Sequence, residues 1–421
     1  MTSVDEPRTL LRLRVSGREL FLLCGLWLVL FFEPLQFGGV KVSHLWKMAA
    51  LVFLIQASLK PRMPLWFIFG ILYALKYLVY TRISYGLMEN VQSAAESLML
   101  PLLMVFLYRR FASVPDYEMR LIRFSVLMSC FFIYSAVPSL LGVQSLNPET
   151  DLLMYGLEEN ATKGLFYHVA VASQMYTFAT LVLMASYRLF KLSVLGRIVY
   201  GCTVLLGVFL IYGTFARTAW LAFIIVALII FVRGEGVKRK VLGMLMAVVL
   251  VFGVIFVYDE NEAVQLRMKG GATYRQDVEL SADGLLKSRL PFIFIAVDNL
   301  VEAGFPSILL GYGTQYGKDL FEEKTSMAIV SHNKTMEIVE SSGLVGLFLY
   351  FGFVYNVFVL VKKGYYRSSP AVRNLTFVCG LLFALFYFSS HGLPLWCEVI
   401  ISGVLVANML RASARSCLQG G

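Results

Sequence analysis

Charge is what this sequence has least of. Only 15% of its 421 residues are charged, against 58% apolar. A chain with so little charge and a mean hydropathy of +0.72 is excluded from the ordinary soluble classes. Cysteine is sparse as well: six residues, at 24, 130, 202, 379, 397 and 417, with no CxxC spacing and none in the long polar stretch described below. A disulfide framework and a thiolate metal site are therefore not expected, and five of the six read as small packing residues in or beside apolar runs. Also lacking are an Asp-x-Asp motif and any cluster with metal-ligand spacing, so neither a metal nor another cofactor is called for. There is no internal repeat of the kind that marks the inverted halves of a transporter. No cleavable leader is expected, because the first apolar run is too long and lacks a small-residue cleavage site.

What is present is a series of apolar segments near bilayer length. They are 19–37, 44–59, 64–80, 91–108, 121–142, 166–187, 194–213, 217–232, 239–258, 343–361, 372–389 and 393–410. In lipid every backbone polar group must be bonded within its own segment, so these predict an all-α, polytopic membrane protein with about twelve transmembrane helices. The expected organisation is residues 1–258 as helices one to nine, 259–342 as one large outer loop with short helices, and 343–421 as the last three helices and a tail. With the N-terminus inside, 23 of the 37 lysines and arginines fall on the cytoplasmic side, while the short outer loops hold only Lys41, Arg82, Lys163 and Arg217. That asymmetry accounts for the net charge of +10 by topology, and no nucleic-acid partner is needed.

The chemistry-bearing residues cluster on the outer face. His332, one of four histidines, stands just before Asn333, a good N-cap for a helix leading to Gly343 and an apolar run. The positive end of a helix disfavours imidazolium and keeps a nearby ring neutral, as a general base must be. Glu337 and Glu340, one and two turns on, can either orient that ring or bind a substrate hydroxyl; equally they make a favourable acidic first turn. Arg217 opens the eighth apolar segment with no acidic residue within ten positions, on the face where basic residues are rare. A guanidinium there suits a phosphate held at the membrane boundary, or it snorkels. Arg289, Arg275 and Arg267 in the long loop can join it as a diphosphate clamp, unless Glu279 and Asp283 pair with them. A helix is expected from Leu290 to Ala303, with Pro291 in its first turn. The cluster Gly311-Tyr312-Gly313-Thr314-Gln315-Tyr316-Gly317 matches no phosphate-loop fingerprint and reads as a tight turn where backbone approaches closely. Lys47, Lys76 and His391, in or near apolar segments, are what a secondary transporter would use, though Lys47 and Lys76 can simply snorkel.

Taken together, three pieces in this order resemble the O-antigen ligase and O-antigen polymerase superfamily of bacterial membrane glycosyltransferases. They are Ala216-Arg217-Thr218-Ala219-Trp220-Leu221, the Arg289 segment leading to Leu309-Leu310-Gly311-Tyr312-Gly313, and His332-Asn333 followed by Glu340-x-x-Gly343-Leu344-Val345-Gly346-Leu347. The resemblance spans roughly residues 195–361. It implies a GT-C-like enzyme of the bacterial inner membrane whose site faces the periplasm. It also implies an undecaprenyl-diphosphate-linked glycan as donor and metal-independent, inverting transfer. Arg217 and Arg289 fall on the diphosphate-binding arginines of the family, and His332 on its essential histidine. The implied acceptor is lipid A–core for a ligase, or another lipid-linked repeat unit for a polymerase. Chain length and the single large late loop favour the ligase.

Overall fold

The computed structural model describes residues 36–37, 40–58, 63–141, 164, 169–214, 216–233, 241, 290–325, 333–389 and 395–413. The described part is helical apart from one two-residue strand pair, Gln36–Phe37 against Val40–Lys41. In chain order the helices are α1 (Val42–Ser58), α2 (Leu65–Lys76), α3 (Leu87–Phe111), α4 (Tyr117–Tyr134) and α5 (Val137–Leu140). Then come α6 (Val169–Ser186), α7 (Val194–Gly213), α8 (Arg217–Val232), α9 (Leu290–Glu302), α10 (Phe305–Leu310), α11 (Thr314–Thr325), α12 (Lys334–Tyr365), α13 (Pro370–Ser389) and α14 (Leu395–Ser413). Among the described residues, five helical stretches are long and apolar enough to cross a membrane: Leu87–Phe111, Val169–Leu189, Val194–Gly213, Lys334–Tyr365 and Pro370–Tyr387. This is the helical, multiply spanning architecture that the apolar runs predict.

Each expected segment other than 19–37 and 239–258, which lie almost wholly outside the described residues, carries a helix. Two end earlier than the hydropathy suggests. The segment 121–142 breaks after Tyr134, where Pro138 cannot donate to the preceding turn, and resumes as the short α5. The segment 64–80 stops at Lys76, and the chain turns at Tyr77.

The chain divides into two compact units. Unit 1 comprises Met1–Ala50, Asp116–Val278 and Ser368–Leu382. Its core is α6, of whose 18 residues 15 are buried, packed by α4, α7 and α8. Gly207 lets α7 approach closely, because a Cβ there would lie 2.1 Å from the Thr180 hydroxyl on α6.

Unit 2 comprises Leu51–Pro115, Glu279–Arg367 and Phe383–Gly421 and is built around α12, against which α2, α10 and α14 pack. Small residues set these crossings too. A Cβ on Gly352 would meet the Phe69 ring at 2.4 Å, and one on Gly364 would meet the Asn408 carbonyl at 2.0 Å. Beyond that crossing Arg367 Nη1 donates to Ala412 O (3.0 Å), and Arg411 Nη1 donates to Arg367 O (2.8 Å). The foot of α12 is thereby tied to the last turn of α14.

One feature of α12 is not in its hydropathy. At Gly343 the backbone leaves the helix, with φ 69° and ψ −174°, so α12 is two helical pieces meeting at a kink. The sequence reads as running straight through this glycine. The reason for the kink is tertiary: the backbone of residues 309–311 crosses here, and a Cβ on Gly343 would lie 2.1 Å from Leu309 O. At 1.5 Å per residue the piece beyond the kink is about 33 Å long, enough to cross the hydrocarbon core. The piece before it, residues 334–342, is an arm.

Candidate functional site

In unit 2 the site is assembled at this arm. Asn333 caps its first turn as the sequence predicts: the side-chain Oδ1 accepts from the backbone N–H of Thr335 (3.0 Å) and of Met336 (3.2 Å). Glu337 is engaged by Lys334, whose Nζ donates to Oε1 at 3.0 Å across one turn. Thr335 reaches the Tyr387 hydroxyl at 3.4 Å. The arm is seated by two adjacent residues facing different ways. Ile338 packs into Tyr73, Tyr77 and Ala94, and Val339 into Leu300 and Tyr312. The first of these pockets continues as stacked tyrosines: Tyr73 and Tyr77 share a hydrogen bond of 2.8 Å, and Tyr350 lies edge-on to Tyr73 and parallel to Tyr387.

Glu340 is buried and its carboxylate is committed. Tyr312, fully buried, donates its hydroxyl to Glu340 Oε1 at 2.8 Å, and its backbone N–H donates to Glu340 O at 2.8 Å. Burial first, and then the adjacent Glu340 carboxylate, hold the Tyr312 phenol above its ordinary range, so it stays a neutral donor. The Tyr312 contact is a role for Glu340 beyond those the sequence left open, which were to orient the histidine ring, to bind a substrate hydroxyl or to make an acidic first turn.

The glycine cluster is a tight turn, as expected. Gly311 and Gly313 have φ of 75° and 92°, a region that favours glycine, and α11 starts at the next residue. A Cβ on Gly311 would lie 2.5 Å from the backbone of Ser341 and Ser342. The turn is gripped from the other side by Thr81, whose N–H (2.9 Å) and hydroxyl (2.8 Å) both reach Gly311 O. Thr314 N–H donates to Asn90 Oδ1 at 3.3 Å. Arg82 lies over the Tyr316 ring at 4.9 Å. Thr81 and Asn90 carried no signal in the sequence, because their role depends on contacts more than 200 positions away.

In unit 1 Arg217 is the first residue of α8, after Ala216 in extended conformation. The motif around it is a helix-hairpin corner. Trp220 Nε1 donates to Ile211 O at 2.9 Å, its ring stacks on Tyr212, and the Thr214 hydroxyl donates to the same carbonyl at 2.7 Å. The tryptophan of the motif thus fixes the corner from which the arginine starts. His332, Arg267, Arg275 and Arg289 lie outside the described residues, although α9 begins immediately after Arg289 at Leu290, as its Pro291 predicts. The structure therefore brings together Gly311, Tyr312, Asn333, Glu337 and Glu340.

The fold is that of a helical membrane protein whose longest described helix carries a capped, kinked arm that begins after the histidine segment in sequence. The family model described as O-antigen ligase matches residues 202–351, which holds all three quoted motifs and supports the O-antigen ligase and polymerase superfamily. No curated protein matches the chain.

Proposed function

We propose that this is a glycosyltransferase of the bacterial inner membrane, with about twelve transmembrane helices and a GT-C-like arrangement, acting on the periplasmic side. It moves a glycan from undecaprenyl diphosphate to a sugar hydroxyl, without a metal and with inversion. The observation that carries this reading is the O-antigen ligase match across residues 202–351, a span that contains Arg217, Arg289 and His332. His332 takes the proton of the acceptor hydroxyl, and the resulting oxygen attacks the anomeric carbon from the face opposite the diphosphate. The bond from that carbon to the diphosphate breaks, and the departing charge is met by Arg217 and Arg289, with Arg267 and Arg275 as further candidates. Fixed guanidinium donors can stabilise such a leaving group without a metal. Asn333 and the arm it caps place the positive end of a helix directly after His332, which favours the neutral ring. The acceptor is lipid A–core in the ligase form of the reading, favoured by the single large late loop; another lipid-linked repeat unit is the polymerase alternative.

The test is His332→Ala in the full-length protein, supplied with labelled lipid-linked donor and purified acceptors. Donor binding should persist while turnover falls about 10²–10⁴-fold, the usual worth of a general base. The wild-type rate should rise with pH through the ordinary histidine range. Normal turnover of the bound donor by the variant would move the base elsewhere. The acceptor that gains glycan decides between ligase and polymerase.

A further inference from the structure

We infer that Lys76 is a positioning residue for the transfer reaction: its ammonium fixes the turn on which the arm of α12 rests, and so sets where the arm's tip is held. The inference rests on the function proposed above for His332.

Lys76 ends α2, is 7% exposed, and lies in an apolar surrounding where a bare ammonium is costly. Its Nζ donates to two backbone carbonyls, Val79 O in its own chain turn and Leu310 O at 2.8 Å. The Lys76 carbonyl meanwhile accepts from Val79 N–H at 2.9 Å, so one residue closes the turn after α2 by both its ends. Leu310 is the last residue of α10 and immediately precedes Gly311.

What hangs on that carbonyl is the junction of three chain segments. The backbone of residues 309–311 lies in direct contact with Gly343, where α12 kinks, and Gly311 lies against Ser341 and Ser342. Two residues after Lys76's partner carbonyl, Tyr312 binds Glu340 through both main chain and side chain. Thr81, five residues after Lys76, holds Gly311 O. The stem of Lys76 also borders the kink, its Cγ lying 3.6 Å from where a Cβ on Gly346 would stand. The kink at Gly343 and the Glu340 end of the arm thus rest on the 309–312 turn, alongside the packing of Ile338 against Tyr73 and Tyr77, and Lys76 is the charged tie beneath that turn. A charge-assisted bond to a main-chain carbonyl holds geometry more firmly than a neutral one. A shift of about 1 Å at reacting groups can cost on the order of 10²-fold in rate.

The experiment compares Lys76→Met, Lys76→Arg and Thr81→Val with wild type in the full-length protein. Three readouts are taken: affinity for labelled lipid-linked donor, single-turnover rate, and the distance distribution between spin labels at positions 324 and 355. Lys324 is on α11, which starts from the turn and packs on the arm, and Tyr355 is an exposed residue of the spanning piece of α12. Lys76→Met should lower the single-turnover rate at least tenfold with donor affinity within about threefold, and should broaden the distance distribution. Lys76→Arg should recover most of the rate and the narrow distribution. Thr81→Val, which loosens the same turn from Gly311 O and leaves the lysine in place, should act in the same direction but less, and it carries the test if Lys76→Met does not fold. An unchanged distance distribution in the folded variants overturns the inference. So does a loss of donor affinity that accounts for the whole loss of rate. If His332→Ala proves fully active while Lys76→Met still broadens the distances, the function proposed above fails and the structural tie stands.

Discussion

At the scale of single residues, the main consequence is a division of labour among groups that look alike in the sequence. Glu337 and Glu340 sit one turn apart, but one pairs with Lys334 near the tip of the arm and the other is buried against Tyr312. Tyr312→Phe should therefore destabilise the protein by about 1–3 kcal/mol, the cost of removing a donor from a buried acceptor, read as a fall in the thermal midpoint in detergent. Glu340→Gln, which keeps an acceptor oxygen for that hydroxyl, should retain most of the transfer rate. A loss of rate in a well-folded Glu340→Gln would return this carboxylate to the chemistry. The sign of the pH effect follows from the direction of the phenol's shift. A group held protonated in the fold contributes fully below its unfolded value of 10.0 and less as pH rises above it, so the phenol's contribution should be lost in alkali. Arg217 belongs to a different case. Arg217→Ala should lower transfer by one to two orders of magnitude, and Arg217→Lys should remain impaired because a point charge cannot replace a two-pronged donor. Full activity in the lysine variant would remove the bidentate part of the reading.

At the scale of elements, what was legible in the sequence was whatever local chemistry dictates. Asn333 as N-cap, the start of α9 at Leu290 beside Pro291, and the tight turn at Gly311–Gly313 each follow from a residue's own conformational preference. The Lys334–Glu337 pair is also readable, since residues three apart on a helix are neighbours. Three features were not legible. The kink at Gly343 exists because another backbone passes it, the role of Lys76 because Leu310 O is 234 positions away, and the role of Tyr312 because Glu340 is 28 positions on. Nothing local distinguishes Gly343 from the straight-through glycines of α12. Gly343→Ala is accordingly the sharpest test of an element: its φ of 69° and the Leu309 carbonyl in its way should cost the protein its folded yield or, in what folds, its transfer activity. Gly380, around which there is open space within 4 Å, is the control, and Gly380→Ala should be tolerated. Equal tolerance of both would mean that the kink is not required.

At the scale of the whole molecule, apolar length predicted where most helices lie, and the distribution of basic residues predicts which way they run. Both ends of the chain should be cytoplasmic and residues 259–342 periplasmic. A cysteine introduced at Lys318, on α11, should react with a membrane-impermeant thiol reagent added from the periplasmic side of cells whose native cysteines have been replaced. Protection there, with labelling only after the inner membrane is opened, would overturn the topology and with it the site. The foot of α12, where Arg367 donates to Ala412 O and Arg411 to Arg367 O, would then be the end that faces outward.

The geometry of α12 has a mechanical meaning. Fixed at Gly364 against Asn408 and kinked at Gly343, it is a lever whose short arm is about 13 Å long. A rotation of about 10° at the joint would swing the tip by about 2 Å, more than the roughly 1 Å that reacting groups tolerate. The position of the arm's tip is thus a matter of angle at one glycine, and small displacements close to that fulcrum are magnified at the far end.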